Sequence, residues 1–156
     1  MRRVRLRRGD RAPEFALPDQ NGDTVSPASL RGSKVVIYFY PAAGTPGCTT
    51  EACDFRDNLA SLRSAGYAVV GISPDSPQRL REWARQERLV YPLLPDEDHV
   101  VHQRYGAWGE KTVDGRTRTG PLRSTFVLDE EGVVEHALYD VNAQGHVAEL
   151  RKLLGV

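Results

Sequence analysis

The sequence predicts an α/β domain, a mixed sheet flanked by helices. Apolar, β-branched runs alternate along the chain with stretches of helical periodicity. The strongest run, KVVIYFY at 34–40, is rich in β-branched and aromatic residues, as a central strand buried on both faces would be. The chain has 156 residues, enough for one well-cored domain and too few for two ordinary ones.

Each element follows in order. After the 34–40 strand comes a Pro/Gly-rich loop, Pro41 to Gly47. From about Cys48 the pattern turns helical: Cys48, Ala52, Phe55, Leu59 and Leu62 recur at steps of four and three and make one apolar stripe. Gly66 stops that helix. Tyr67 to Ile72 (YAVVGI) reads as a second strand. Ser76-Pro77 starts another helix with a cap residue and a proline at the first helical position, and Leu80, Trp83 and Ala84 form its inner face. A short strand at Tyr91 to Leu94 and a short helix around Val100 to Tyr105 come next. Residues 107–121 read as a polar excursion. Ser124 to Asp129 and Val133 to Tyr139, around Glu130-Glu131-Gly132, read as a hairpin. Gly145 to Leu154 closes the chain as a helix. One domain over residues 1–156 is expected, without repeats or an interdomain linker.

Composition excludes several classes. Forty per cent of residues are hydrophobic, which is globular composition. Lys+Arg and Asp+Glu both number 21, so a nucleic-acid partner is not expected. Five arginines crowd the opening MRRVRLRR, which leaves the remainder at net −5. Residues 1–8 are expected to be a frayed, solvated start rather than an arm for an acidic surface. No apolar core follows these arginines and no stretch is long enough to span a bilayer, so a cytoplasmic protein without a membrane partner is expected. Both cysteines should then be reduced at rest, and chemistry is favoured over a structural staple.

Those cysteines, Cys48 and Cys53, lie in PAAGTPGCTTEACD, five positions apart. Cys48 opens a helix, where unpaired N–H groups and the positive end of the helix dipole favour an anion, and the thiolate is the form that attacks. Glu51, one turn in, opposes this unless a basic group neutralises it, so an arginine is expected nearby. Five helical steps put two α-carbons roughly 8.6 Å apart on different faces. Disulfides need them closer than ~7 Å. On an intact helix the two sulfurs cannot bond, so either they never pair or the first turns must unwind. A nucleophile with a resolving partner, joined by local unfolding, is favoured over dithiol exchange in a fixed site.

Pro41, Thr45 and Cys48 match the Pro-x-x-x-Thr-x-x-Cys motif of peroxiredoxins. The longer string TPGCTTEACDFRD resembles the bacterioferritin-comigratory, or Q-type, subgroup, which carries a second cysteine five residues on. GDRAPEFALPDQNG, VVGISPDS, YPLLPDED, YGAWGEK, RSTFVLDEEG and GHVAEL follow in the order of that subgroup, so the resemblance covers nearly the whole chain.

The resemblance implies a thioredoxin-like fold with peroxiredoxin additions, and a peroxidase that needs no metal, haem or flavin. Its substrates would be hydrogen peroxide and alkyl hydroperoxides. Cys48 would attack the O–O bond and become a sulfenic acid. Thr45 would set its hydroxyl against the peroxide oxygens, with the N–H of Cys48 and of Gly47 donating to the same atoms. Pro41 would screen the sulfur from water. Arg123 would supply a fixed positive charge. Cys53 would close an intramolecular disulfide, which thioredoxin or a similar dithiol protein would reduce. The resemblance leans towards a monomer, with a weak dimer as the alternative. The chain departs from the subgroup at Ala42-Ala43-Gly44, where charged or polar residues are common, so a less charged pocket rim is expected.

Two other readings stay open on the residues alone: a protein disulfide oxidoreductase, and a redox-sensing or holdase-like interaction protein. A zinc site through His99 and His102 is not expected, because the cysteine spacing is wrong and the histidines lie far along the chain; they read as surface helix residues. His136 and His146 make no constellation with Cys48, and Trp83 reads as core.

Overall fold

The structure is a computed structural model describing residues 4–156. Two short paired strands open it, β1 (Leu17–Pro18) and β2 (Thr24–Val25), followed by a single 3-10 turn at Ala28–Leu30. The apolar run becomes β3 (Lys34–Phe39) and leads through the 41–45 loop into α1 (Pro46–Ser64). Then come β4 (Tyr67–Ser73), α2 (Pro77–Glu87), β5 (Leu93–Pro95) and α3 (Val100–Arg104). The chain ends with β6 (Trp108–Val113), β7 (Arg116–Pro121), β8 (Ser124–Leu128), β9 (Val134–Leu138) and α4 (His146–Leu154).

The main sheet has the order β5-β4-β3-β8-β9. β3 runs parallel to β4 and antiparallel to β8, so the sheet is mixed and its most apolar strand lies at the centre. Side chains alternate across β3. Val36, Tyr38 and Tyr40 meet the stripes of α1, α2 and α4, whereas Val35, Ile37 and Phe39 meet α3, Leu6, Phe15 and Val25. Gly71 on β4 suits this tight packing. A Cβ there would lie 3.0 Å from the Tyr38 ring and 3.1 Å from Leu93.

Three expectations are corrected. Residues 107–121 are mostly a β-hairpin, β6 against β7, turning at Asp114 (φ 53°) and Gly115 (φ 76°). Both central residues have positive φ, the geometry that a two-residue hairpin turn favours. Residues 1–3 of the expected frayed start lie outside the described residues. Of residues 4–8, Val4, Arg5, Arg7 and Arg8 are exposed, but Leu6 docks: it is buried, its N–H donates to the Tyr139 hydroxyl (2.9 Å), and the Arg5 guanidinium lies over the Tyr139 ring. The arginines around Leu6 hid one apolar anchor. His102, thirdly, is fully buried rather than on a helix surface. Its Nδ1 lies 2.6 Å from Asp96, whose carboxyl is held below its ordinary range by hydrogen bonds from His102 and Val101 that outweigh burial. His99 stacks on Trp108. Among the described residues no helix is long and apolar enough to cross a membrane.

Candidate active site

Cys48 sits where β3 hands the chain to α1. Thr45 caps the helix in extended conformation, Pro46 takes the first helical position, and Gly47 and Cys48 follow. The first backbone bond of this end runs from the Thr49 N–H to the Thr45 carbonyl (2.9 Å), leaving the N–H groups before it free for an anion. Cys48 begins the apolar stripe and is only 1% exposed. Thr45 and Pro46 beside it are exposed, and Pro41, Gly47 and Arg123 are half-buried, so the approach from solvent runs over these residues.

Arg123 stands immediately before β8 and reaches back to α1. Its Nη2 donates to Cys48 Sγ at 3.3 Å and its Nη1 donates to Glu51 Oε1 at 2.6 Å. The guanidinium thus sets a fixed positive charge directly against the sulfur. The arginine demanded by Glu51 is therefore present, and one side chain serves both groups. Glu51 is fully buried, and its Oε2 has no hydrogen-bond partner among the described residues. Burial pushes its carboxyl up to about 7, against the pull of Arg123. The guanidinium passes close to Gly47, where a Cβ would meet Arg123 Nη2 at 3.5 Å, an ordinary van der Waals contact.

Thr45 Oγ1 donates to the Ala42 carbonyl (2.9 Å), which leaves its lone pairs free to accept. Pro41 follows β3, and its ring offers no N–H. The loop between them is pinned from behind. Asp75 accepts from the Ala43 N–H (2.7 Å) and from Ser73 Oγ (2.8 Å), and Arg79 donates to the Ala43 carbonyl (3.4 Å). Gly44, at φ 83°, lets Arg79 lie against the loop; any side chain there would collide with its guanidinium. The rim that looked uncharged in sequence thus has an arginine beside it. Asp75 and Arg79 were not predicted: they carry no signal beyond flanking the Ser76-Pro77 cap.

Cys53 lies away from this cluster. Both cysteines are free thiols on the unbroken α1, as the spacing requires. Cys53 Sγ is 3.8 Å from Glu87 Oε2 on α2, and burial pushes its thiol up. Among the described residues no group of three or more His, Cys, Asp or Glu is arranged to hold a metal ion.

A thiol beneath a guanidinium, at the start of a helix packed on a mixed sheet, is an arrangement suited to a thiol-dependent enzyme. Comparison with known proteins agrees. The model of the AhpC/TSA family matches residues 8–137, and the chain belongs to that family. It is 54% identical over 153 residues to a putative peroxiredoxin of Mycobacterium tuberculosis, covering 98% of each chain. It is 46% identical over 141 residues to peroxiredoxin Bcp of Escherichia coli, covering 90% of each. The solved bacterioferritin comigratory protein of Xanthomonas campestris, described for alkyl peroxide reduction, superposes with a TM-score of 0.85 at 32% identity over 90% of each chain. The fold is thioredoxin-like, and the chain is a peroxiredoxin, a thiol-dependent peroxidase.

Proposed function

We propose that Cys48 is the attacking thiol and Cys53 the resolving one, with thioredoxin or a similar dithiol protein as reductant. The observation that carries this is the bond from Arg123 Nη2 to Cys48 Sγ at the open end of α1. The thiolate attacks one peroxide oxygen, the O–O bond breaks, and the other oxygen leaves and is protonated to water or alcohol. Negative charge moves from sulfur to the leaving oxygen during this step. The guanidinium and the free N–H groups of Gly47 and Cys48 face the region where that charge develops. Thr45 Oγ1 accepts the hydrogen of the peroxide and orients it.

Cys53 then attacks the sulfenic sulfur. An S–S bond forms, the S–O bond breaks, and the thiol proton leaves with hydroxide as water. Exchange with a reduced dithiol restores both thiols. Hydrogen peroxide and alkyl hydroperoxides are the substrates; the alkyl peroxide reduction described for the Xanthomonas relative supports the second class. We further propose that the protein acts in the cytoplasm as a monomer.

A thioredoxin, thioredoxin reductase and NADPH assay with hydrogen peroxide and an alkyl hydroperoxide tests this. Cys48→Ser should show no peroxide-dependent NADPH loss. Cys53→Ser should consume a single equivalent of peroxide and then stall. Sustained turnover in Cys48→Ser would refute the assignment, and unchanged cycling in Cys53→Ser would remove Cys53 from it.

A further inference from the structure

We infer that Arg56 and Tyr91 latch the Cys53 turn of α1 to the segment leaving α2, and that this latch sets how fast the Cys48 sulfenic acid is resolved. The inference rests on the reading of Cys48 and Cys53 as attacking and resolving thiols. On that reading the turn carrying Cys53 must leave its helical position once in every cycle.

Besides the packing of Ala52 and Phe55 in the core, three polar contacts tie that turn to the short segment 87–91. The Tyr91 hydroxyl donates to the Ala52 carbonyl (2.9 Å). Cys53 Sγ lies 3.8 Å from Glu87 Oε2. Arg56 Nη1 donates to the Glu87 carbonyl (2.6 Å). The Glu87 carbonyl is one of the last of α2, where carbonyls lack intrahelical partners and a cation is favoured. Asp57 fixes the guanidinium from the other side, accepting from Arg56 Nε at 2.9 Å.

The receiving segment is the rigid half. Tyr91 is buried, its hydroxyl lies 2.7 Å from that of Tyr38, and its carbonyl accepts from Gln20 Nε2 (2.8 Å). Arg88, between Glu87 and Tyr91, is the left-handed cap that ends α2 (φ 55°), its N–H donating to the Ala84 carbonyl. The α1 turn is therefore the part that moves. While docked, Cys53 stays a thiol because burial, with the nearby Glu87 and Asp57 carboxylates, outweighs the opposing pull of Arg56; released, it can ionise and attack. Arg56 and Tyr91 touch no reacting atom, so they are positioning residues.

The latch competes with a second peroxide. A sulfenic acid that waits for Cys53 can attack a further peroxide instead. The new S–O bond makes it a sulfinic acid, and the peroxide leaves as water or alcohol.

Reduced protein mixed with one equivalent of hydrogen peroxide, quenched by acid and alkylated, gives the disulfide rate by mass. Arg56→Met keeps the apolar stem and loses the donors. It should form the Cys48–Cys53 disulfide about tenfold faster, as expected for loss of one charged hydrogen bond at a partly exposed site. It should need correspondingly more peroxide to accumulate sulfinic acid. Arg56→Lys should fall between, and Tyr91→Phe should shift in the same direction as Arg56→Met. Val35→Ala, in the core on the other face of the sheet, should leave the disulfide rate unchanged. A disulfide in the unaltered protein with unchanged rates in Arg56→Met and Tyr91→Phe would overturn the latch alone. Equal acceleration by Val35→Ala would also overturn it. Absence of the disulfide in the unaltered protein would overturn the two-thiol reading and the latch together.

Discussion

At the scale of residues, the site depends on a single guanidinium shared between a sulfur and a buried carboxylate. Arg123 sits 3.3 Å from Cys48 Sγ and 2.6 Å from Glu51 Oε1, so removing it takes away the donor to the thiolate and isolates a buried acid. Arg123→Ala should slow oxidation of Cys48 by about 10²–10³, the usual loss when one fixed donor to a developing charge is deleted. Stopped-flow mixing with peroxide checks this, and a rate within a factor of two of the original would contradict it. Cys48 and the helix start were legible from local sequence, because a Pro/Gly-rich loop before an apolar stripe fixes where the helix begins. Glu51 announced the need for a positive charge but not its source. Arg123 is 75 residues from Cys48 in sequence, and only the family motif singled it out. Asp75 and Arg79 act on backbone atoms of the loop, which leaves no side-chain pattern to read.

At the level of elements, α1 carries both thiols and packs its apolar stripe into the core beneath the sheet. Phe55 is fully buried and stacks on Tyr38 with ring centroids 4.5 Å apart. Phe55→Ala should cost about 3–5 kcal/mol of stability. Urea denaturation measures it, and a loss below about 1 kcal/mol would contradict the packing. Elements whose periodicity reports burial were legible: β3, α1, β4, α2, β8, β9 and α4 lie within a few residues of their predicted bounds. The β6–β7 hairpin was not, because most of its side chains face solvent and give no alternation of apolar and polar residues. Its Asp114-Gly115 turn was the available signal. His102 was misread for the opposite reason. Burial of a histidine depends on a partner, and Asp96 becomes that partner only when the chain folds back after β5.

At the scale of the whole molecule, two buried titrating groups give opposite dependences of stability on pH. The Glu51 carboxyl is raised from 4.5 to about 7, mainly by burial. The folded protein therefore binds the extra proton, and this contribution to stability is lost as pH rises from 4.5 to 7. The His146 ring, buried against Phe55 and 2.8 Å from Thr125 Oγ1, is lowered from 6.5 to about 4. There the unfolded chain binds the extra proton, so stability increases from pH 4 to 6.5. The two slopes offset each other in the unaltered protein. Glu51→Gln removes the falling one, and its unfolding free energy should climb more steeply with pH across that window. Urea titrations at several pH values test this, and parallel curves for the two proteins would contradict it.

On the proposed assignment, peroxide oxidises the Cys48 sulfur and no other atom. Peptide mass mapping of the reduced Cys53→Ser protein, treated with one equivalent of hydrogen peroxide and a sulfenic-acid trap, tests it most directly. The trapped adduct should appear on Cys48 alone, in nearly every molecule. An unmodified Cys48 with the peroxide still in solution, or an adduct on any other residue, would contradict it.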